Sequence, residues 1–211
     1  MSTPSPTFAA APALSTHAPG APGRAEVEDH IAAIYRARYG ADVRQFAPTL
    51  VSLRDDDGAL LAAAGYRSAA DGPLFLERYL DAPVEQRLAG AAPALPSRAH
   101  IVEVGHLAAA RAGEGRRLVG LLGPHLAALG HQWVVSTLIE ELRRLFLRLG
   151  ITPLALGVAD PALLGEAEAA RWGSYYDHRP LVLAGRIDQA LAALAAMTRR
   201  TAPGEHAGAP A

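Results

Sequence analysis

Alternating hydrophobic and polar positions are clearest in the second half of the chain, where short apolar runs take turns with segments of helical periodicity. Four segments have the two-residue alternation or the short apolar run that is typical of strands: 100–108, 132–136, 152–158 and 180–185. Four others repeat apolar residues every three or four positions and are predicted helices: 116–129, 138–149, 161–171 and 187–198. Thr137 and Glu140 have the spacing of a capping box at the start of the second of these helices.

The first half of the chain has a different order of elements. Its pattern predicts a helix over 25–39, strands at 49–54 and 59–67, and two short helices at 73–80 and 83–89. The residues between the two strands end in Asp-Gly, which is typical of a hairpin. A hairpin followed by strands that are joined through helices predicts one α/β domain with a mixed central sheet flanked by helices.

The two ends of the chain differ in composition from the rest. Residues 1–24 are rich in Ala, Pro, Ser and Thr, and residues 201–211 consist largely of Ala, Gly and Pro. Such segments bury too little apolar surface to fold alone. We therefore expect a disordered leader, a single domain over 25–200 and a disordered tail. The leader lacks the basic start and apolar run of a secretory signal, which favours a cytoplasmic location.

Charge and composition exclude several classes of function. The net charge is −1, so no nucleic-acid partner is expected. All 20 basic residues are Arg, which excludes a Schiff-base or P-loop lysine. The chain has no Cys, and its histidines lack metal-ligand spacing, so no metal site is expected. No stretch approaches the roughly 18 consecutive apolar residues of a membrane helix, so stable membrane insertion is not expected either.

A Gly/Arg loop between the strand at 100–108 and the following helix is the first candidate binding site. Free amides at a helix N-terminus bind anions, glycines let the backbone approach a phosphate, and arginines add charged donors. An ordinary turn with solvated arginines is the alternative. The candidate cofactor-binding residues are two of the strand and five of the loop: Val104, His106, Arg111, Gly113, Gly115, Arg116 and Arg117.

Acid–base chemistry has two candidates. Glu103 lies in the middle of a predicted strand, and a carboxylate there can act as a general base or pair with an arginine. Tyr176 can act as a general acid within a segment dense in polar aromatic residues. That segment either lines a substrate pocket or anchors the last strand, and the helix at 73–80 either lines a cleft or presents a solvated face. The substrate-binding candidates from these two segments are Glu77, Arg78, Tyr79, Trp172, Tyr175, Asp177 and His178.

Five runs, in this order, resemble the bacterial thermostable hemolysin family. They cover most of residues 25–187 and read HIAAIYRARYGADVRQFAPTLVSL, PLFLERYLDAPVEQRL, IVEVGHLA, WVVSTLIEELRRLFLRLGI and WGSYYDHRPLVLAG. That family is similar in fold to GNAT acyltransferases and, more distantly, to acyl-homoserine-lactone autoinducer synthases. The Gly/Arg loop resembles the GNAT pyrophosphate loop, with Ala110 in the place of the usual Gln or Arg.

The resemblance implies an acyltransferase that uses an acyl-CoA or acyl-carrier-protein thioester and a small-molecule amine acceptor. The pantetheine arm would lie between the strands at 100–108 and 132–136. The departure at Ala110 keeps the carrier phosphopantetheine open as the donor, because it makes fewer demands on the loop than coenzyme A. Two other readings remain open: a GNAT-like scaffold that binds without catalysis, and the membrane lysis that the family name implies.

Overall fold

A computed structural model describes residues 14–91, 94–111 and 113–201. Its seven strands are β1 (Leu14–His17), β2 (Thr49–Arg54), β3 (Leu60–Ser68), β4 (Ile101–Ala109), β5 (Trp133–Leu138), β6 (Leu154–Val158) and β7 (Leu181–Arg186). They form one sheet in the order β1-β2-β3-β4-β5-β7-β6. Every neighbouring pair is antiparallel except β4 and β5, which are parallel. The mixed central sheet predicted from the sequence is thus confirmed.

Six α-helices accompany the sheet in the described part of the chain. They are α1 (Arg24–Tyr39), α2 (Val84–Arg87), α3 (Glu114–Ala128), α4 (Glu140–Arg148), α5 (Glu166–Arg171) and α6 (Ile187–Thr201). Short 3-10 helices span Ala69–Asp71, Phe75–Tyr79, Arg98–His100, Pro161–Leu164 and Tyr175–His178. None of the helices in these ranges is both long and apolar enough to cross a membrane.

Helices cover both faces of the sheet, and the alternation of strand side chains shows which helix covers which face. Leu50 packs in one buried cluster with Ile31 of α1, whereas its neighbour Val51 packs in another with Leu118 of α3. Successive residues of a strand point to opposite faces. Helix α1 therefore lies on one face, while α3 packs with α6 on the other. Small residues at 62–64 of β3 are fully buried from both sides.

Three sequence-based expectations are wrong in detail. Residues 14–24 are not a disordered leader, because β1 pairs with β2 and α1 begins at Arg24; residues 1–13 and 202–211 lie outside the described residues. The helix expected over 161–171 is divided at Gly165, which has a left-handed φ of 81°. The capping box at Thr137 does not form, because β5 continues to Leu138 and the helix starts after it.

Candidate functional site

The centre of the sheet splits where its two parallel strands diverge. Backbone pairing between β4 and β5 ends at Glu103 and Val135. Both strands continue beyond that point, β4 to Ala109 and β5 to Leu138, each paired only with its outer neighbour. Peptide groups on the two facing edges therefore lack a partner strand. Those that no side chain satisfies are available to a ligand, because every backbone N–H and C=O needs a hydrogen-bond partner.

A β-bulge in β4 causes the divergence. Gly105 of β4 pairs with Gly65 of β3, and Ala108 of β4 pairs with Ala63 of β3. Between these two pairs β4 therefore has one residue more than β3. The extra residue lies at His106, whose φ of 54° is left-handed. An extra residue bends the bulged strand and interrupts its ladder. The bulge thus turns the end of β4 away from β5 and opens the sheet.

The His106 imidazole is neutral and structural in its contacts. Its Nε2–H donates to the carbonyl oxygen of Gln45 over 3.1 Å and holds the segment 41–47 against the sheet. Burial lowers the pKa of His106 to about 4. The donor-binding role predicted for this side chain stays a prediction, and its described contacts are to the protein itself.

A cavity of about 140 Å³, here called the polar cavity, lies beside the split on the face that carries α1. Its floor is the bulged part of β4, and α1, the segment 41–47 and the segment after α5 form its walls. Seven of the residues predicted from the sequence line it: Tyr79, Glu103, Val104, His106, Trp172, Tyr175 and Tyr176.

Glu103 is held in this cavity by the backbone of the 3-10 helix Phe75–Tyr79. Its Oε2 accepts the amide of Phe75 over 2.8 Å, and its Oε1 accepts the amide of Leu76 over 2.9 Å. Burial raises the pKa of Glu103 above its usual value, although the two amides and the nearby charge of Arg67 oppose the rise. A carboxylate has about four acceptor positions, so two remain for a ligand.

A pair of tyrosines lies across the polar cavity. The hydroxyl groups of Tyr79 and Tyr176 share a hydrogen bond of 2.5 Å, in which either can donate. Burial raises the pKa of Tyr176 to about 12, even though the hydrogen bond from Tyr79 lowers it. Burial and the same hydrogen bond raise the pKa of Tyr79 as well. Both phenols therefore keep their protons at neutral pH, and one of the two hydroxyl protons is free for a ligand.

The aromatic segment after α5 docks on the end of α1. The Ser174 amide donates to the carbonyl of Tyr39 over 2.8 Å, which satisfies one of the last carbonyls of that helix. Tyr175 stacks on Tyr35 and donates its hydroxyl to the carbonyl of Thr137 on β5 over 3.2 Å. Trp172 contacts Tyr35 edge to face. The segment thus both anchors the fold and lines the cavity, which combines the two readings left open by the sequence.

Four of the predicted substrate residues do not line this cavity. Glu77 accepts the amides of Leu74 and Val84 and pairs with Arg98 at 2.7 Å, so its carboxylate is already engaged by the protein, and its substrate-binding role stays a prediction. Arg78 pairs with Glu168 at 2.6 Å, and its guanidinium lies over the Phe75 ring. The other two, Asp177 and His178, are exposed, and the His178 ring packs edge to face on Tyr39. These residues are neighbours of Tyr79 and Tyr176 in sequence but do not share the cavity with them, because a 3-10 helix directs successive side chains to different sides.

The Gly/Arg loop lies at the carboxyl end of β4, where the split opens, and leads into α3. Gly113 has a φ of 95° and precedes the helix, with open space where a side chain would be. Arg111, Arg116 and Arg117 are exposed, and Arg117 pairs with Glu114 at 3.1 Å. Gly115 lies in the first turn of α3, where a Cβ would come within 3.7 Å of that of Ala109. The loop does not line the polar cavity.

Several lining residues were not predicted. Arg67 lies directly opposite Glu103 on β3, and Arg171 ends α5; within the described ranges neither forms an ion pair with a carboxylate. The segment 41–47 has no regular structure and no motif. Thr137 has a buried hydroxyl oxygen with no hydrogen-bond partner in the described chain. In the sequence, Arg67 and Thr137 stand out only because they are polar residues within apolar strands.

A family model described as "Thermostable hemolysin" matches residues 17–191. The search of curated proteins returned no match.

Three solved structures illustrate the similarity in fold. TofI, in a ternary complex with an inhibitor and MTA, is 19% identical, with 86% of this chain and 96% of that chain covered and a TM-score of 0.56. FeeM, an N-acyl amino acid synthase from uncultured soil microbes, is 15% identical, with coverage of 85% and 94% and a TM-score of 0.55. BjaI, a CoA-dependent acyl-homoserine lactone synthase with SAM and isopentyl-CoA, is 13% identical, with 89% of each chain covered and a TM-score of 0.55. The expected α/β, GNAT-like fold is confirmed.

Proposed function

The chain belongs to the thermostable hemolysin family, and from that premise and the geometry of the split sheet we propose that it is an acyltransferase. It would transfer an acyl group from a thioester of coenzyme A or of an acyl carrier protein to the amine of a small molecule. The divergence of β4 and β5 beside a cavity that holds Glu103 carries the proposal. The solved neighbours include a CoA-dependent synthase and an N-acyl amino acid synthase, which supports this class of reaction.

The donor would bind along the split. Its pantetheine amides would pair with the free edges of β4 after Glu103 and of β5 after Val135. Its phosphate would meet the α3 N-terminus at Gly113, where amides and the helix dipole favour an anion. Arg111 and Arg116 are exposed there to add charged donors. Thr137 Oγ1, buried and without a described partner, would hydrogen-bond a polar group of the donor.

The reaction forms a C–N bond and breaks a C–S bond. The acceptor's ammonium group first gives one proton to Glu103, directly or through a water molecule, and Glu103 passes it to solvent. The free amine then attacks the thioester carbonyl, and the second proton that its nitrogen loses restores Tyr176 after that residue has acted as the acid. Tyr176 gives its proton to the departing thiolate, which leaves as a free thiol. Burial raises the pKa of Glu103, which makes it a stronger base than an ordinary carboxylate. Tyr79, by donating to the Tyr176 oxygen, would direct the Tyr176 proton toward the ligand and stabilise the phenolate.

The charges around the polar cavity favour an acceptor that carries a carboxylate as well as an amine. Of the acidic and basic side chains that line it, Asp42 pairs with Arg44, and Glu168 pairs with Arg78. Glu103, Arg67 and Arg171 are left without an ion pair within the described ranges. The acceptor would place its ammonium group near Glu103 and its carboxylate near Arg67 or Arg171, because opposite charges attract.

Release of free thiol is the most direct test of acyl transfer. The chain has no Cys, so a thiol reagent reports only the product thiol. The full chain is incubated with acyl-CoA and with acyl-pantetheine, each with an amino acid or with the matching amine that lacks the carboxylate. We expect thiol release that requires an amine and is faster with the amino acid, and mass spectrometry should find the N-acyl product. No release with any donor and acceptor contradicts the proposal, and donor binding without release favours the scaffold reading.

Two tyrosine variants form a matched pair for the proton transfer. Tyr176→Phe should lower kcat about 100-fold or more, the usual contribution of a general acid. Tyr79→Phe leaves the Tyr176 hydroxyl in place and should lower kcat only about tenfold or less by that reasoning. Equal effects of the two variants would contradict the assignment of Tyr176 as the acid.

A further inference from the structure

A second cavity lies on the opposite face of the sheet, between the sheet and the helix pair α3 and α6. It encloses about 100 Å³ and is here called the apolar cavity. Aliphatic side chains from both helices and from β4, β5 and β7 line it, among them Leu107, Leu122, Leu138 and Leu194. The chemistry of this space differs from that of the polar cavity, although only the sheet separates them.

A polar ligand would find few partners in the apolar cavity. Ser136 and Arg186 are the polar side chains that line it within the described ranges. The guanidinium of Arg186 pairs with Asp188 at 2.7 Å and lies over the ring of Trp133, so it is already engaged. A polar group buried without a hydrogen bond is costly, so the space suits a hydrocarbon.

The two cavities meet at the split. Val104 and Leu107 line both of them, and both residues follow Glu103, the last residue of β4 that pairs with β5. A thioester carbonyl beside Glu103 therefore has the acceptor on one face of the sheet and an apolar space within reach on the other. A chain that passes between the faces would run through the gap between β4 and β5 beyond Glu103.

We propose that the apolar cavity binds the acyl chain of the donor and selects medium-chain acyl thioesters over acetyl thioesters, an inference that rests on the proposed acyl transfer. An apolar cavity of roughly 150 Å³ holds one benzene molecule, so this cavity has room for about four carbons. The helices limit it, because a side chain at Gly123 of α3 would come within 3.2 Å of Leu191 of α6. Chains of about six to eight carbons, counted from the carbonyl, would fill the split and the cavity together.

Affinity and turnover across a chain-length series test the assignment. Acetyl-, butyryl-, hexanoyl-, octanoyl- and dodecanoyl-CoA, and the same acyl-pantetheines, are titrated by calorimetry and assayed for thiol release. We expect about fourfold tighter binding per methylene, or about 0.8 kcal/mol, up to a plateau near six to eight carbons. Sodium octanoate is the control ligand that carries the same acyl chain without a thioester. It should bind far more weakly than octanoyl-CoA, because it lacks the pantetheine. Equal binding of acetyl- and octanoyl-CoA, or no binding of any thioester, would overturn the assignment.

Two variants of α6 test where the acyl chain of the donor binds. Ala190 lines the apolar cavity, whereas Ala192 on the same helix is exposed and does not. Ala190→Leu should lower the ratio of octanoyl- to acetyl-CoA affinity about tenfold or more, since the added methyl groups occupy the space of about three chain carbons. Ala192→Leu should leave the ratio unchanged, and thermal melting confirms that both variants fold. An unchanged ratio in Ala190→Leu overturns the inference. Chain-dependent binding without thiol release would instead contradict acyl transfer and leave the cavity assignment standing.

Discussion

Replacement of Gly173 by Ala should uncouple the aromatic segment from α1. A Cβ at this position would lie 2.0 Å from the carbonyl oxygen of Tyr39, whereas real Cβ contacts essentially never fall below 3.0 Å. The two backbones must therefore separate by about 1 Å, which breaks the Ser174–Tyr39 hydrogen bond. The φ of Gly173, 53°, adds a left-handed penalty for any other residue.

The expected cost combines these two effects. The left-handed backbone costs about 1 kcal/mol, and the lost hydrogen bond and disturbed packing of Trp172 and Tyr175 add about 2–3 kcal/mol. Gly40→Ala is the matched control, because Gly40 is also left-handed, at 66°, but has nothing within 4 Å of its added Cβ. Gly40→Ala should therefore lose only the stability that the left-handed backbone costs, about 1 kcal/mol.

Thermal and urea unfolding followed by circular dichroism measure the difference. For a chain of this size we expect Tm to fall by about 10 °C in Gly173→Ala and by about 3 °C in Gly40→Ala. Gly173→Ala should also weaken thioester binding, since Trp172 and Tyr175 line the polar cavity. Equal Tm values for the two variants would refute the reasoning, because the contact with Tyr39 would then contribute nothing.

Three other predictions concern the bulge and the groups beside it. Gly65→Ala would place a Cβ 2.7 Å from that of Ala47 and should lower the free energy of unfolding by about 1–3 kcal/mol. In the opposite strand, Gly105→Ala meets nothing within 4 Å and should change that free energy by less than about 0.5 kcal/mol. Urea unfolding measures both variants, and similar losses of stability would contradict the packing argument. The native pKa of His106 is about 4, below the 6.5 of a free histidine, so the unfolded chain binds the extra proton and stability should fall as pH drops from about 6.5 to about 4. His106→Gln should lose that part of the pH dependence in unfolding titrations, and parallel curves for the two proteins would argue against a buried neutral imidazole. Because Glu103 must be ionised to accept a proton and its pKa is raised, kcat/KM should decline with an acidic limb above pH 4.5; a limb at or below 4.5 would argue against Glu103 as the base.

Local patterning predicted most regular elements, because each helix or strand must turn an apolar side toward a core. The helix expected over 25–39 is α1, and the strands expected at 49–54 and 100–108 are β2 and β4 within one residue at each end. The errors occur where distant contacts compete with local preference. Residues 14–17 have a weak pattern, and the edge of β2 orders them as a strand.

The candidate site was predicted in part, through residue types that stand out from their surroundings. Glu103 in an apolar strand and Tyr176 in an aromatic segment both line the polar cavity. Glu77, equally prominent in sequence, pairs instead with Arg98 and the backbone. Arg67 was missed, because its place opposite Glu103 depends on the register of two strands, and a shift by one residue would turn it to the other face.

By itself the sequence determined the succession of elements from α1 onward and the mixed character of the sheet, and it singled out Glu103 and Tyr176 as candidates for acid–base chemistry, since these depend on periodicity and side-chain type. Only the tertiary structure decided where β4 and β5 part, that the bulge lies at His106, and which charged groups around the cavity already have partners. It also decided that a polar and an apolar cavity meet across the split. These features arise from packing between segments that are far apart in the chain, and such packing leaves no local pattern.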